Sequence, residues 1–358
     1  MEFKSNINTI LGSIDYLEYL RGKDATFMLS LSTTKTLEIE GITQAGIPGL
    51  IHLTPTLDSE FVCSGEVRSL ENLAETPKGV PTPALITRAV HLLRPFKNIE
   101  LLDLGMSKKP QLDFFKIHDF DLKPSESIHQ GANIDAMAVF QKGVNFGKTY
   151  ECKDDYIILG ESVPAGTTTA YATALAAGYN CDGKFSSSFK DVPNSIKNQT
   201  IQEALDTIKD GDDLFEKIGK VSDNMLIFNA GFILGNSSSN TKIILAGGTQ
   251  MAAVLLLANA IVEYMGGKLD SSNLALCTTK WLSEDEHSDI KALLELLDFP
   301  INAYSANFDF SKSEHPALKL YDKGEAKEGV GAGAALCYGL INGLNDELII
   351  KEVENFLG

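Results

Sequence analysis

Three short segments place reactive side chains beside backbone that lets a ligand come close. The first is Tyr321-Asp-Lys323-Gly-Glu325-Ala-Lys327-Glu328-Gly329-Val-Gly331-Ala-Gly333-Ala-Ala, where charged residues run straight into a small-residue helix. Glycine weakens a helix by roughly 1 kcal/mol per position, so Gly329, Gly331 and Gly333 imply close approach of a ligand or of another backbone. Glu328, at the mouth of that segment, is a candidate general acid or base. A helix-start carboxylate that only complements the helix dipole has the same local sequence.

The second segment, Tyr156-Ile-Ile-Leu-Gly-Glu161-Ser-Val-Pro-Ala-Gly166-Thr167-Thr168-Thr169, is a strand that ends at a carboxylate, turns through Pro and Gly, and enters a helix through threonines. Free N–H groups and the positive end of the macrodipole converge at such a helix start, which suits a phosphate. An ordinary turn capped by threonine also fits. The third, Ile243-Ile-Leu-Ala-Gly247-Gly248-Thr249-Gln250, repeats the strand, glycine and helix order. A bare Gly-Gly more often means tight packing. Two such turns can nevertheless close around one nucleotide, and neither matches the Walker A or dinucleotide patterns.

The elements that must hold these turns are strands alternating with helices. Ala25–Leu31, Ile99–Asp103, Tyr156–Leu159, Lys242–Ala246 and Leu274–Thr278 read as strands, and Thr168–Ala177, Gln250–Met265 and Glu284–Leu297 as helices. Apolar strands separated by helical crossovers predict an α/β fold with a doubly wound, mostly parallel, Rossmann-like sheet. Residues 5–22 and 328–356 both carry helical spacing, which predicts a small helical layer from the chain ends. The expected division is a catalytic nucleotide-binding domain over 25–327 and a helical subdomain from 1–24 and 328–358. Ser186 to Thr200 reads as a loop.

Composition narrows the function. With 358 residues and 44% hydrophobic content the chain can bury a large core. A net charge of −17 disfavours nucleic acid and anionic membranes, which need clustered Lys and Arg. The longest apolar run, Met251 to Val262, is interrupted by Asn259 and too short to span a bilayer. The opening Met1-Glu-Phe-Lys-Ser lacks a signal-peptide pattern, so a cytoplasmic protein is expected. Five scattered cysteines and six histidines show no metal or disulfide spacing, and no metal site is expected. Glu284-Asp-Glu-His287-Ser-Asp289 reads as the acidic first turn of an exposed helix.

Taken in order, the three segments resemble the nicotinate-nucleotide–dimethylbenzimidazole phosphoribosyltransferase family, especially its divergent bacterial and archaeal branch. Gly160-Glu161-Ser-Val-Pro-Ala-Gly166-Thr-Thr is similar to the family's Gly-Glu-Met-Gly-Ile-Gly-Asn-Thr-Thr, Gly247-Gly248-Thr-Gln-Met-Ala-Ala to its Gly-Gly-Phe-Glu-Ile-Ala-Ala, and Lys327-Glu328-Gly329-Val-Gly331-Ala to its Gly-Glu-Gly-Thr-Gly-Ala. Leu102-Asp103-Leu-Gly105, Ala136-Met137 and Gly79-Val80-Pro81-Thr82-Pro83 follow further family segments more loosely. The serine and glutamine of the family's base pocket correspond here to Pro81 and to Arg88 or Ala89.

The resemblance implies transfer of phosphoribose from nicotinate mononucleotide to an aromatic base such as 5,6-dimethylbenzimidazole, in cobamide nucleotide-loop assembly. Glu328 takes the general-base position and Glu161 that of the second carboxylate. Gly166, Thr167, Thr168, Lys197, Gly247 and Gly248 fall at the nucleotide phosphate and ribose, and Pro81, Thr82, Lys327 and Gly329 at the base pocket. No cofactor is implied; the implied partners are small-molecule substrates, and a homodimer is expected. A different phosphoribosyl-transferring enzyme and a non-catalytic nucleotide-binding protein on the same fold are the rival readings. An enzyme that uses phosphoribosyl pyrophosphate normally carries an acid pair after a buried strand, and Leu101-Leu-Asp103-Leu-Gly has one acid.

Overall fold

The computed structural model describes residues 5–70, 75–190 and 194–358. Met1–Lys4, and residues 191–193 of the expected loop, lie outside them. Among the described residues β1 (Ile7–Leu11), β2 (Ala25–Leu31), β3 (Asn98–Asp103), β4 (Lys116–Asp119), β5 (Tyr156–Ser162), β6 (Lys242–Ala246), β7 (Leu274–Thr279) and β8 (Asn302–Ala306) form one sheet, in the order β1-β8-β7-β6-β5-β2-β3-β4. All pairs are parallel except β1 with β8. The helices are α1 (Asp15–Leu20), α2 (Thr54–Ser64), α3 (Ala84–Leu93), α4 (Ala136–Thr149), α5 (Gly166–Ala176), α6 (Asn194–Asp206) and α7 (Leu214–Val221), followed by α8 (Asn224–Asn236), α9 (Thr249–Tyr264), α10 (Lys280–Ser283), α11 (Ile290–Leu294), α12 (Ala332–Ile341) and α13 (Asp346–Asn355). The fold is the expected doubly wound α/β arrangement.

Side chains alternate across the strands and so build two cores. Phe27, Leu29, Ile158, Ile244 and Cys277 face a layer containing α1, α2, α3, α12 and α13. Met28, Ile157, Leu159, Leu245 and Leu276 face the layer of α4, α5, α7, α8, α9 and α11. A helical layer from the chain ends is present, but it is not a separate unit. Leu17, Leu20, Ala334 and Ile349 share one core with Phe27 and Ile158 of the central strands, so the boundaries at 24/25 and 327/328 cut through continuous packing.

Local patterns misled in four places. Residues 5–22 contain β1 before α1, because Ile7 and Thr9 pair with Ala306 and Tyr304 at the open edge of the sheet. The span 328–356 is two helices, broken where Gly343 takes φ +94° and Asn345 caps α13. Within Ser186 to Thr200 a helix begins at Asn194: Lys197, Thr200, Ile201 and Ala204 are buried at helical spacing, and two polar anchors disguise the stripe. The expected helix Glu284–Leu297 is interrupted, with Asp289 capping a short α11. There Asp285 is a buried ion-pair partner of Lys327 rather than an exposed first-turn acid.

Candidate active site

The strand order reverses between β2 and β5: β2 leads outward to β3 and β4, and β5 leads the other way to β6, β7 and β8. Open parallel sheets bind ligands outside the carboxyl ends of their strands at such a point. A cleft of about 960 Å³, counting its open mouth, lies at the end of β5. Its walls come from the turn between β5 and α5, the start of α9, the 75–83 loop, the 186–188 loop, the start of α2 and the segment before α12.

Glu161 and Glu328 both line this cleft. Glu161, near the end of β5, is 3% exposed, and one backbone donor, the Val163 N–H at 3.2 Å, reaches its carboxylate. Burial pushes its pKa up to about 8, helped by the negative charges of Glu328, Asp223 and Asp58. Glu328 is better served. Its Oε2 accepts from Thr278 Oγ1 (3.0 Å) and the Thr279 N–H (2.7 Å), and its Oε1 from the N–H groups of Gly329 (3.2 Å) and Gly333 (3.0 Å). Burial still outweighs those donors and raises its pKa to about 7. Two carboxylates in one desolvated site titrate as a pair, and the one with more donors ionises first.

The glycines of this segment have identifiable reasons. A Cβ on Gly333 would sit 2.1 Å from the Thr278 carbonyl carbon, so α12 meets β7 backbone to backbone. One on Gly331, whose φ is +72°, would meet the Phe27 ring at 2.9 Å. The close approach foreseen from the sequence is thus one of backbone and core here, while Gly329 borders the cleft. Val330 holds φ +55°, rare for a β-branched residue. Its N–H donates to the Glu161 carbonyl (2.9 Å) and its carbonyl accepts from Thr87 Oγ1 (2.8 Å). Ala165, in the turn after Glu161, holds φ +64°. Backbone strain therefore sits in both turns that carry the acids.

Those acids make stability depend on pH. A carboxyl held protonated in the folded chain and ionised in the unfolded one destabilises the fold progressively above the ordinary value of 4.5, until pH passes about 8 and both states are ionised. Glu161→Gln stays neutral throughout. The variant is expected to unfold several degrees higher than the parent at pH 8.5 and at nearly the same temperature at pH 4.5, by scanning calorimetry. Equal differences at both pH values would show that burial of the Glu161 charge is not what limits the parent.

Other anticipated residues fall into two groups. Gly166, Thr167, Gly248, Pro81, Thr82, Lys327 and Gly329 line the cleft. Thr168 is buried behind its wall, and Gly247 follows β6, its Cβ position facing Met251 and 3.7 Å from Glu161 Oε1. Lys197 is also set back: its Nζ donates to the Ser186 carbonyl (2.6 Å), and Ser186 borders the cleft. Burial, and then the charge of Lys327, bring Lys197 down to about 7. Lys327 is paired with Asp285 at 2.8 Å. Helices α5 and α9 both start without a side-chain cap. Arg88 points away, donating to the Val62 and Cys63 carbonyls, and Met137 is exposed on α4.

Sequence reasoning missed Asp58. It lies in α2, whose acids and hydroxyls are buried along with its apolar residues, so no amphipathic period marks them. Asp58 borders the cleft and accepts from Thr82 Oγ1 (2.7 Å) and Ser162 Oγ (2.6 Å). It also missed Ser186, Ser187 and Ser188, the Lys78–Glu325 ion pair (2.7 Å) whose Glu325 lies at the cleft, and Gln250.

A relative from Sulfurisphaera tokodaii, a UPF0284 protein, is 38% identical over 331 residues, covering 92% of this chain and 91% of its own. The chain belongs to the UPF0284 family. UPF0284 proteins of Saccharolobus solfataricus (34% identical over 336 residues, 93% of this chain and 92% of theirs) and Saccharolobus islandicus strain L.S.2.15 (33% over 344, 95% and 94%) agree. No protein-family model matches. Among solved structures, CobT from Thermus thermophilus superposes on the UPF0284 chain with a TM-score of 0.59 at 14% identity, over 93% of this chain and 84% of that one. A second Thermus thermophilus structure, named as a nicotinate-nucleotide–dimethylbenzimidazole phosphoribosyltransferase, gives 0.59 at 16%, over 97% and 92%. The UPF0284 chain therefore has the fold of these transferases. Among the described residues no helix is long and apolar enough to cross a membrane.

Proposed function

We propose that this UPF0284 protein transfers the phosphoribosyl group of nicotinate mononucleotide to an aromatic nitrogen base, giving nicotinate and an α-ribotide of the kind found in cobamide nucleotide loops. The observation that carries the reading is the charge layout of the cleft. Asp58, Glu161 and Glu328 are its buried acids, with Glu75 and the Lys78-paired Glu325 also in its lining, while the Lys327 ammonium, paired with Asp285, turns toward the 186–188 loop and donates to the Phe189 carbonyl (3.3 Å), with Lys197 behind Ser186. A molecule with a cationic ring at one end and a phosphate at the other matches that polarity. The Thermus protein of the same fold is named for this transfer.

Each side chain has a task in that reaction. The C1′–N bond to the pyridinium breaks, its electron pair stays on the ring nitrogen, and neutral-ring nicotinate leaves without a general acid. The positive charge of the donor's ring, once bound beside the acids, lowers the Glu161 pKa so that its proton passes to water at the open mouth of the cleft, and the resulting carboxylate faces the oxocarbenium-like ribose. The base attacks C1′ from the opposite face through a ring nitrogen. Its other ring N–H loses the proton to Glu328, whose value near 7 suits a general base at neutral pH. The uncapped starts of α5 and α9 supply N–H groups for the phosphate and ribose. The same reading makes the protein a cytoplasmic homodimer acting on small molecules.

The test is incubation of the purified protein with nicotinate mononucleotide and, in turn, 5,6-dimethylbenzimidazole, benzimidazole, adenine and a phenol, followed by mass spectrometry. Free nicotinate and a ribotide in equal amounts are expected with at least one acceptor. Nucleotide binding with no product from any acceptor would replace the transferase by a nucleotide-binding protein.

A further inference from the structure

We infer that Asp58 sets the acceptor specificity, by turning two cleft hydroxyls into fixed hydrogen-bond acceptors that select an aromatic ring bearing a hydroxyl or amino donor on its rim. Asp58 is 2% exposed, and each of its carboxylate oxygens takes one hydroxyl: Oδ1 from Thr82 and Oδ2 from Ser162. An ionised carboxylate can only accept, so both hydroxyl protons are committed to it. What Ser162 and Thr82 have left for a ligand is lone pairs. Thr82 Oγ1 spends one of these on the Ala84 N–H at 3.3 Å, and no other bond is drawn by Ser162 Oγ among the described residues.

Both residues border the cleft and are nearly buried, at 8% for Thr82 and 5% for Ser162. The lining near them includes Val80, Pro81, Pro83, Val163 and Val330 beside the acids Asp58 and Glu161. A flat ring slides into such surroundings, and a lone-pair wall at its rim is satisfied only by N–H or O–H. The 75–83 loop that carries Thr82 is anchored from below, since the Tyr321 hydroxyl donates to the Pro81 carbonyl at 2.5 Å. That bond fixes the backbone beside Thr82, Ser162 sits at the end of β5, and both hydroxyls are held by Asp58. Burial raises Asp58 to about 6 against the pull of its two hydroxyl donors, so at pH 8 the carboxylate is ionised and the hydroxyl orientation is set. A site built to meet a donor discriminates strongly against a ring that lacks it, because its own polar groups are then left unpaired.

Naming the ring as the acceptor rests on the transferase reading; the hydroxyl orientation does not. The experiment is isothermal titration of the full chain at pH 8, in buffer free of nicotinate, with benzimidazole and with 5-hydroxybenzimidazole, for the parent, Asp58→Asn and Ser162→Ala. The parent is expected to bind the hydroxylated ring about 10-fold or more tightly than the plain one. In Asp58→Asn the amide NH2 must face one hydroxyl and turn it into a donor toward the cleft, so the ratio falls toward one. Ser162→Ala removes the acceptor and lowers the ratio without touching Asp58, which keeps the proposal testable if Asp58→Asn folds poorly. A ratio near one in the parent, a ratio unchanged in both variants, or binding of neither ring would overturn the inference. Release of nicotinate from nicotinate mononucleotide, measured separately, reports on the transferase reading whichever way the ratio falls.

Discussion

Glu328→Gln is expected to lower kcat by about 10²- to 10⁴-fold, the range typical of general-base help, while nicotinate mononucleotide still binds. The amide keeps the size of the carboxylate and can still accept on one side, from either the Thr278–Thr279 pair or the Gly329–Gly333 pair of donors. What it cannot do is take a proton from the attacking base. A purely structural Glu328, capping α12 through the Gly333 N–H, would affect stability more than chemistry, so pH dependence separates the roles. With the carboxylate held near 7, the parent should gain kcat/KM as pH rises through about 7, because only the ionised form is a base. Glu328→Gln should lose the part of that limb near 7, leaving residual activity whose pH dependence follows Glu161 near 8. Turnover equal to the parent, measured by nicotinate release, would remove Glu328 from the mechanism.

Gly333→Ala is expected to be strongly damaging. Its Cβ would lie 2.1 Å from the carbonyl carbon and 2.4 Å from the Cα of Thr278, and 2.5 Å from the Thr279 nitrogen. These are backbone atoms of a strand, paired at Thr278 and Thr279 with Ser305 and Ala306 of β8, so they cannot yield as a side chain would. Helix α12 must instead back off β7, opening the core around Ala334, Leu336 and Cys277. Overpacking typically costs 1–3 kcal/mol, and a backbone collision belongs at or above the top of that range, so a loss of about 3 kcal/mol or more is expected. The same shift moves the Gly333 N–H and Thr279 N–H that hold Glu328, so activity should fall further than the folded fraction does. Gly339→Ala, further along α12, would have side-chain carbons of Leu344 and Val90 as its nearest neighbours and serves as the control. Urea midpoints that fall equally in both variants would show that α12 has more freedom against β7 than its packing implies.

Much of the fold could be read from local patterns, since strand runs and glycine turns are local chemistry. Ala25–Leu31 and Lys242–Ala246 are strands over those same residues, because β-branched and apolar side chains buried on both faces leave few alternatives. Helix α9 begins one residue before its expected start, where Gly248 ends the turn. The edge strands were not legible: β4 leaves all its residues partly or fully exposed and β1 alternates only weakly, so their partners rather than their composition make them strands.

The candidate site divides along the same line. The sequence alone determined that three glycine-bearing turns follow or precede buried segments, and that Glu161 and Glu328 stand at two of them, because a carboxylate beside glycine at an element boundary is a feature of neighbouring residues. Only the tertiary structure decided that these two acids share one desolvated cleft, that Gly331 and Gly333 serve core packing, and that Lys197 and Asp285 are buried partners of the cleft wall rather than loop and surface charges. It also supplied Asp58, whose partner Ser162 is 104 residues away. The reason is physical: a residue's pKa, its hydrogen-bond partners and its access to a ligand depend on what the strand order brings beside it, and chain separation carries no record of that until the sheet is assembled.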